Sequence, residues 1–116
     1  MIWRVAVADT ALSDYDEIIA WTALRYDQVQ AERYGEAIDR ALFNLREGPE
    51  AQSCRLFEHA GVVYRLYAVR FGRRRGRHIL ACRSFETPAP TLRVYRILHE
   101  RMDFARHLPS TDKDPA

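Results

Sequence analysis

Long apolar runs are missing from this chain of 116 residues. None approaches the ~20 residues that a membrane-spanning helix requires, which argues against a helical membrane protein. Cysteine occurs only twice, at Cys54 and Cys82. That makes neither a disulfide framework nor a metal-ligand spacing, so two reduced thiols are expected. The nucleotide-binding glycine loops, HExxH and GxSxG are all absent. The four histidines, His59, His78, His99 and His107, lack the spacing of a metal site, and no metal or other cofactor is expected. No paired carboxylates fall at a strand end, which disfavours two-carboxylate hydrolysis. The first ten residues lack the basic-then-apolar plan of a signal peptide, so a cytoplasmic location is expected. There is no internal repeat and no low-complexity segment.

What is present suffices for one domain with a core, since 47% of the residues are hydrophobic and 11% aromatic. The formal net charge is only +2, but acids are scarce in the second half. Residues 9–50 hold ten Asp or Glu against four Arg, whereas residues 64–107 hold eleven Arg against three acids. An acidic half joined to a basic half implies two different faces. The basic one suits an anionic partner, either nucleic acid or an acidic protein segment, unless its arginines only solubilise a small sheet.

Residues 2–8 are rich in β-formers and predict a first strand. Asp9-Thr10 is a plausible N-cap. Leu12, Tyr15, Ile18, Ile19, Thr22 and Tyr26 then recur at spacings of three and four, predicting a helix to about Tyr26. After a break at Asp27-Gln28, a second helix covers roughly 29–46, with the stripe Tyr34, Ile38, Ala41, Leu42 and Leu45. Gly48-Pro49 stops it. Residues 50–61 predict a loop with a short strand near 54–57. Residues 62–71 and 77–85 predict a hairpin around Gly72-Arg73-Arg74-Arg75-Gly76. Residues 91–98 predict a last strand after the stiff Thr87-Pro88-Ala89-Pro90. Met102 to Leu108 predicts a short helix. The expected fold is α+β and two-layered: an N-terminal strand and a helical hairpin packed on a mostly antiparallel sheet, in the order β-α-α-β-β-β plus a short C-terminal helix. The domain spans 1–108, followed by a flexible tail at 109–116.

The candidate chemistry lies in arginine. Arg65, Arg70, Arg83, Arg93 and Arg96 sit in the predicted strands, and Arg73, Arg74, Arg75 and Arg77 crowd the hairpin turn. By alternation, Arg83 shares a face with Ile79, Ala81 and Phe85, and Arg96 with Leu92, Val94 and Leu98. Each guanidinium either snorkels to the rim or lines a concave sheet surface. With Tyr95 and His99 nearby, such arginines have the residue types for metal-free RNA cleavage, an arginine stabilising phosphate charge and a histidine or tyrosine moving protons. His99 is equally readable as a strand-end residue holding its turn. Trp21 falls off the first helix stripe, so it either packs in the core or stands exposed to a partner.

Four pieces resemble the RelE/ParE family of bacterial type II toxins. Thr10 to Ile18 is similar to the family's first-helix start. Ala31-Glu32-Arg33-Tyr34 through Ala37-Ile38 to Leu45 is similar to its second helix. An arginine-rich hairpin follows. Arg96-Ile97-Leu98-His99, with Met102-Asp103 and Arg106-His107-Leu108, resembles the ParE-type ending. The resemblance implies a toxin held inactive by a cognate antitoxin whose flexible amphipathic segment wraps it in a hetero-oligomer. The ParE branch implies inhibition of DNA gyrase without catalysis. On that reading Arg65, Arg83, Arg96, His99 and Arg101 contact the target, and Trp21, Arg74 and Arg75 contact the antitoxin. The RelE branch implies instead cleavage of messenger RNA on the ribosome, with Arg83 as phosphate stabiliser, His99 as proton carrier and Tyr95 as a lesser candidate. A third possibility is a member that only binds its antitoxin and takes part in autoregulation.

Overall fold

The computed structural model describes residues 2–109. Strand β1 (Arg4–Val7) leads through Ala8 into helix α1 (Asp9–Arg25), followed by α2 (Gln28–Asn44) and a 3₁₀ turn at Leu45–Glu47. Strands β2 (Arg55–His59), β3 (Val62–Phe71), β4 (Arg74–Phe85) and β5 (Thr91–His99) complete one sheet, and a 3₁₀ turn at Phe104–Arg106 follows. The sheet order is β1-β5-β4-β3-β2. The first strand lies parallel to the last, and every other pairing is antiparallel. The α+β class and the element order agree with the sequence reading.

The break between the helices has a local cause. Asp27 takes an extended backbone, and its side chain accepts the Gln30 N–H at 2.8 Å, capping α2. At the far end Gly48 has φ of 103°, a region open to glycine. The start of α1 differs from expectation. Asp9 and Thr10 lie inside the helix, and Ala8 stands at the cap without a side-chain bond. Thr10 Oγ1 instead donates to the Tyr95 carbonyl at 2.7 Å. The α1 stripe is also shifted: Ala11, Asp14 and Thr22 are buried, while Leu12 and Tyr26 are exposed.

Two apolar clusters follow from strand alternation. Tyr67, Val69, Leu80, Cys82, Leu92 and Val94 face the helices and pack with Ala11, Ile38 and Leu45. Tyr64, Leu66, Ile79, Ala81, Tyr95 and Leu98 form the opposite face, covered by Phe57, Phe104 and Leu108. The C-terminal cover is a single 3₁₀ turn rather than the expected helix. Tyr64 OH donates to the carbonyl of Pro109, the first residue of the expected tail. The rest of that tail, residues 110–116, lies outside the described residues.

Two irregularities decide where side chains go. In β5, Val94 pairs with Cys82 and Arg96 with Ala81, leaving Tyr95 as an extra residue. Such a bulge breaks the alternation. Leu98 therefore faces away from Leu92 and Val94, with which it was expected to share a face. In the β3–β4 hairpin, Phe71 already pairs with Arg74, so the turn is Gly72-Arg73 and not the whole Gly72–Gly76 segment. Gly76 is buried inside β4, where an added Cβ would lie 2.8 Å from the Val69 carbonyl oxygen. Arg74, Arg75 and Arg77 consequently sit on a strand, with fixed directions.

Candidate functional site

β1 covers β5 only as far as Val94. Beyond it, α1 takes over the free edge of β5 with single side chains and its cap residue. The Ala8 N–H donates to the Val94 carbonyl at 2.9 Å, and the Ile97 N–H donates to Asp14 Oδ2 at 2.9 Å. Arg96 completes this seam by donating Nε and Nη2 to the two oxygens of Asp14, at 2.7 and 2.9 Å. Its Nη1 also reaches the His107 carbonyl at 3.3 Å. The bond to Asp14 pushes the Arg96 pKa further up. Arg96 thus ties α1 to β5 and to the C-terminal segment, and its bidentate donors are committed.

At the end of β5 the molecule opens into a cleft. His78 and His99 are cross-strand partners with ring centroids 5.3 Å apart in an edge-to-face arrangement. The Tyr34 hydroxyl on α2 bonds His78 Nδ1, and the Tyr34 ring stands edge-on to both His78 and Phe71. Burial, with a smaller contribution from His99, pushes the His78 pKa down to about 4, and burial raises that of Tyr34 to about 12. Both are therefore neutral near pH 7. His99 Nδ1 accepts the Arg101 N–H at 3.1 Å, so Nε2 is the ring nitrogen left to donate.

The cleft has a volume of about 480 Å³ and runs from these histidines past Arg74, Arg75 and Arg77 to Trp21 and Tyr26 at the mouth of the helical hairpin. A shallower groove of about 930 Å³ continues from it along Arg25, Gln30 and Arg33. Trp21 is 58% exposed and stands edge-on to Tyr26 at 6.0 Å. Of the two readings of Trp21, the exposed one holds, because the α1 stripe turns it away from the sheet.

Of the residues expected to meet the target, only His99 lines this cleft. Arg65 lies near the turn after α2, 3.0 Å from Glu50 and 3.8 Å from Cys54 Sγ. Arg83 pairs in register with Arg93, and both guanidinium groups lie over the Phe85 ring, at 4.8 and 5.4 Å. Arg93 and His99 lie six steps apart along the strand, a span of roughly 20 Å. Tyr95 is buried under Tyr64, and its hydroxyl has no hydrogen-bond partner among the described residues. Arg83, Tyr95 and His99 therefore do not converge on one substrate. His99 does join Arg74, Arg75 and Trp21 around the cleft, and the Arg101 backbone N–H supports its ring.

A sequence model described as the ParE toxin of type II toxin–antitoxin systems, parDE, matches residues 5–104. The chain belongs to the ParE toxin family. The match spans β1 through Phe104, so it includes every element of the sheet and both long helices. No curated protein matches the chain. As a ParE-family protein it is the toxin of a type II toxin–antitoxin pair, and the family implies an antitoxin partner. No helix among the described residues is long and apolar enough to cross a membrane.

Sequence reasoning passed over three residues of this region. Asp14 was readable as a carboxylate at a stripe position, three residues after Ala11 and four before Ile18. Tyr34 was assigned to the core stripe, and its hydroxyl gives no sequence signal. His78 gains its meaning only from pairing with His99 and from α2 lying above it.

Proposed function

We propose that this toxin acts on DNA gyrase by binding and without catalysis, and that its antitoxin neutralises it by covering the cleft bounded by Trp21, Arg74 and Arg75. The observation that carries the reading is the ParE family match, supported by the separation of Arg83, Tyr95 and His99. Without convergence there is no set in which Arg83 steadies a phosphate while His99 or Tyr95 moves the proton, as the RelE-type reading required. The cleft suits an antitoxin segment because it pairs exposed aromatics with guanidinium groups. An amphipathic acidic segment buries the first and neutralises the second.

The test is expression of the chain alone and with its antitoxin in bacteria, alongside a supercoiling assay with purified gyrase. Growth arrest with a DNA-damage response, intact transcripts and loss of supercoiling is the expected result. Rapid transcript cleavage with normal supercoiling would move the reading to a ribosome-dependent nuclease. Absence of arrest would leave a member that only binds its antitoxin.

A further inference from the structure

The cleft between the helical hairpin and the β4–β5 end has a chemistry that is free for a smaller ligand whenever the antitoxin is absent. Its polar wall consists almost wholly of donors. His99 offers Nε2–H, since Nδ1 is occupied by the Arg101 N–H. The Tyr34 hydroxyl and His78 Nδ1 are engaged with each other. Arg74 and Arg75 are exposed and form no ion pair among the described residues. The carboxylate lining the cleft, Glu100, is engaged by Arg77 at 3.3 Å. The Thr22 hydroxyl is spent on the Ile18 carbonyl. Exposed guanidinium groups and ring N–H donors outweigh the single carboxylate, already contacted by Arg77, so the wall favours a ligand rich in acceptors and negative charge.

The opposite wall selects shape. Trp21 and Tyr26 stand exposed at the entrance, and the rings of Tyr34 and Phe71 lie deeper. Aromatic faces beside guanidinium groups favour a flat ring carrying a phosphate over an aliphatic carboxylate, because the ring stacks while the phosphate takes bidentate contacts. The volume of about 480 Å³ falls in the range that holds a small ligand.

We propose that this cleft is a binding site for a nucleoside phosphate, with the base against Trp21 and the phosphate between Arg74, which pairs with the helix-facing Phe71, and His99. The site does not depend on gyrase being the target. The nucleotide is either free or part of an exposed single strand, and the chemistry of recognition is the same.

The test is titration of the full chain, without antitoxin, followed by tryptophan fluorescence and calorimetry. The probes are adenosine monophosphate, adenosine, inorganic phosphate, a hexameric single-stranded oligoadenylate and a hexaglutamate peptide. Adenosine monophosphate is expected to bind about tenfold tighter than either fragment alone. Trp21→Ala should reduce its affinity to that of phosphate, and Arg74→Ala should weaken both. Both positions are exposed, so folding is retained and is checked by circular dichroism. Tighter binding of the oligoadenylate supports the site and names a strand as the source, whereas equal or weaker binding names the free nucleotide. Equal affinity for phosphate and the nucleotide would reduce the cleft to a generic anion patch and overturn the proposal. Equal or tighter binding of hexaglutamate would overturn it in favour of an acidic peptide site.

Discussion

Replacing Asp14 by alanine tests the largest structural commitment in this molecule. Asp14 is 8% exposed and accepts three hydrogen bonds, two from Arg96 and one from the Ile97 N–H. Removing it orphans an edge N–H of β5, at a cost of about 1–2 kcal/mol. It also strands the Arg96 guanidinium. Breaking a fully buried pair costs about 3–5 kcal/mol, but the Arg96 side chain is 25% exposed, so water recovers part of that. The two effects share one carboxylate and are not summed. A loss of about 3 kcal/mol is expected, a large fraction of the about 5–15 kcal/mol typical of a domain. For a chain of this length that lowers the melting temperature by roughly 12 °C. The assay is urea unfolding of the wild type, Asp14→Ala, Arg96→Met and the double variant. The double variant should be less destabilised than the sum of the singles by about 1–2 kcal/mol. A cost for Asp14→Ala below about 1 kcal/mol, with additive singles, would refute the view that this pair secures α1 to the free edge of β5.

Three further outcomes follow. His78 has a folded pKa near 4 against 6.5 in the unfolded chain, so the unfolded state binds more protons between those values. Its contribution is fully present above about pH 6.5 and is lost as pH falls toward 4, with a slope of at most about 1.4 kcal/mol per pH unit. Urea midpoints at pH 7 and 5 should therefore differ more in the wild type than in His78→Gln, and an equal difference would contradict the assignment. Gly76→Ala should cost about 1–3 kcal/mol, since its Cβ meets the Val69 carbonyl at 2.8 Å and Phe71 Cε2 at 3.0 Å; a neutral thermal shift would show that the β3–β4 hairpin yields easily. Trp21→Ala should change stability by less than about 0.5 kcal/mol yet weaken antitoxin binding by about 2 kcal/mol or more, with calorimetry as the check.

The elements were legible in the sequence because their signals are local. The alternation of Val62, Tyr64 and Leu66 against Tyr67 and Val69 marks β3 and both of its faces. The spacing of Tyr34, Ile38, Ala41, Leu42 and Leu45 marks α2, and Gly48 marks where it must stop. The arginine-rich hairpin and the Arg96–Leu108 ending carried the family resemblance, which the match over residues 5–104 agrees with. Which arginines serve a site was not legible, since that depends on register and not on residue type. One extra residue at Tyr95 upsets the alternation around Arg96, whose guanidinium is spent on Asp14, 82 positions away. A two-residue turn at Gly72-Arg73 places Arg74, Arg75 and Arg77 on a strand beside His78. His78 and His99 are 21 residues apart in the chain and adjacent in space only because β4 and β5 are antiparallel neighbours. Local periodicity thus determined the helices and the strands, and motif resemblance the family, while the cleft and its donors were decided by long-range pairing, whose register no window of sequence contains.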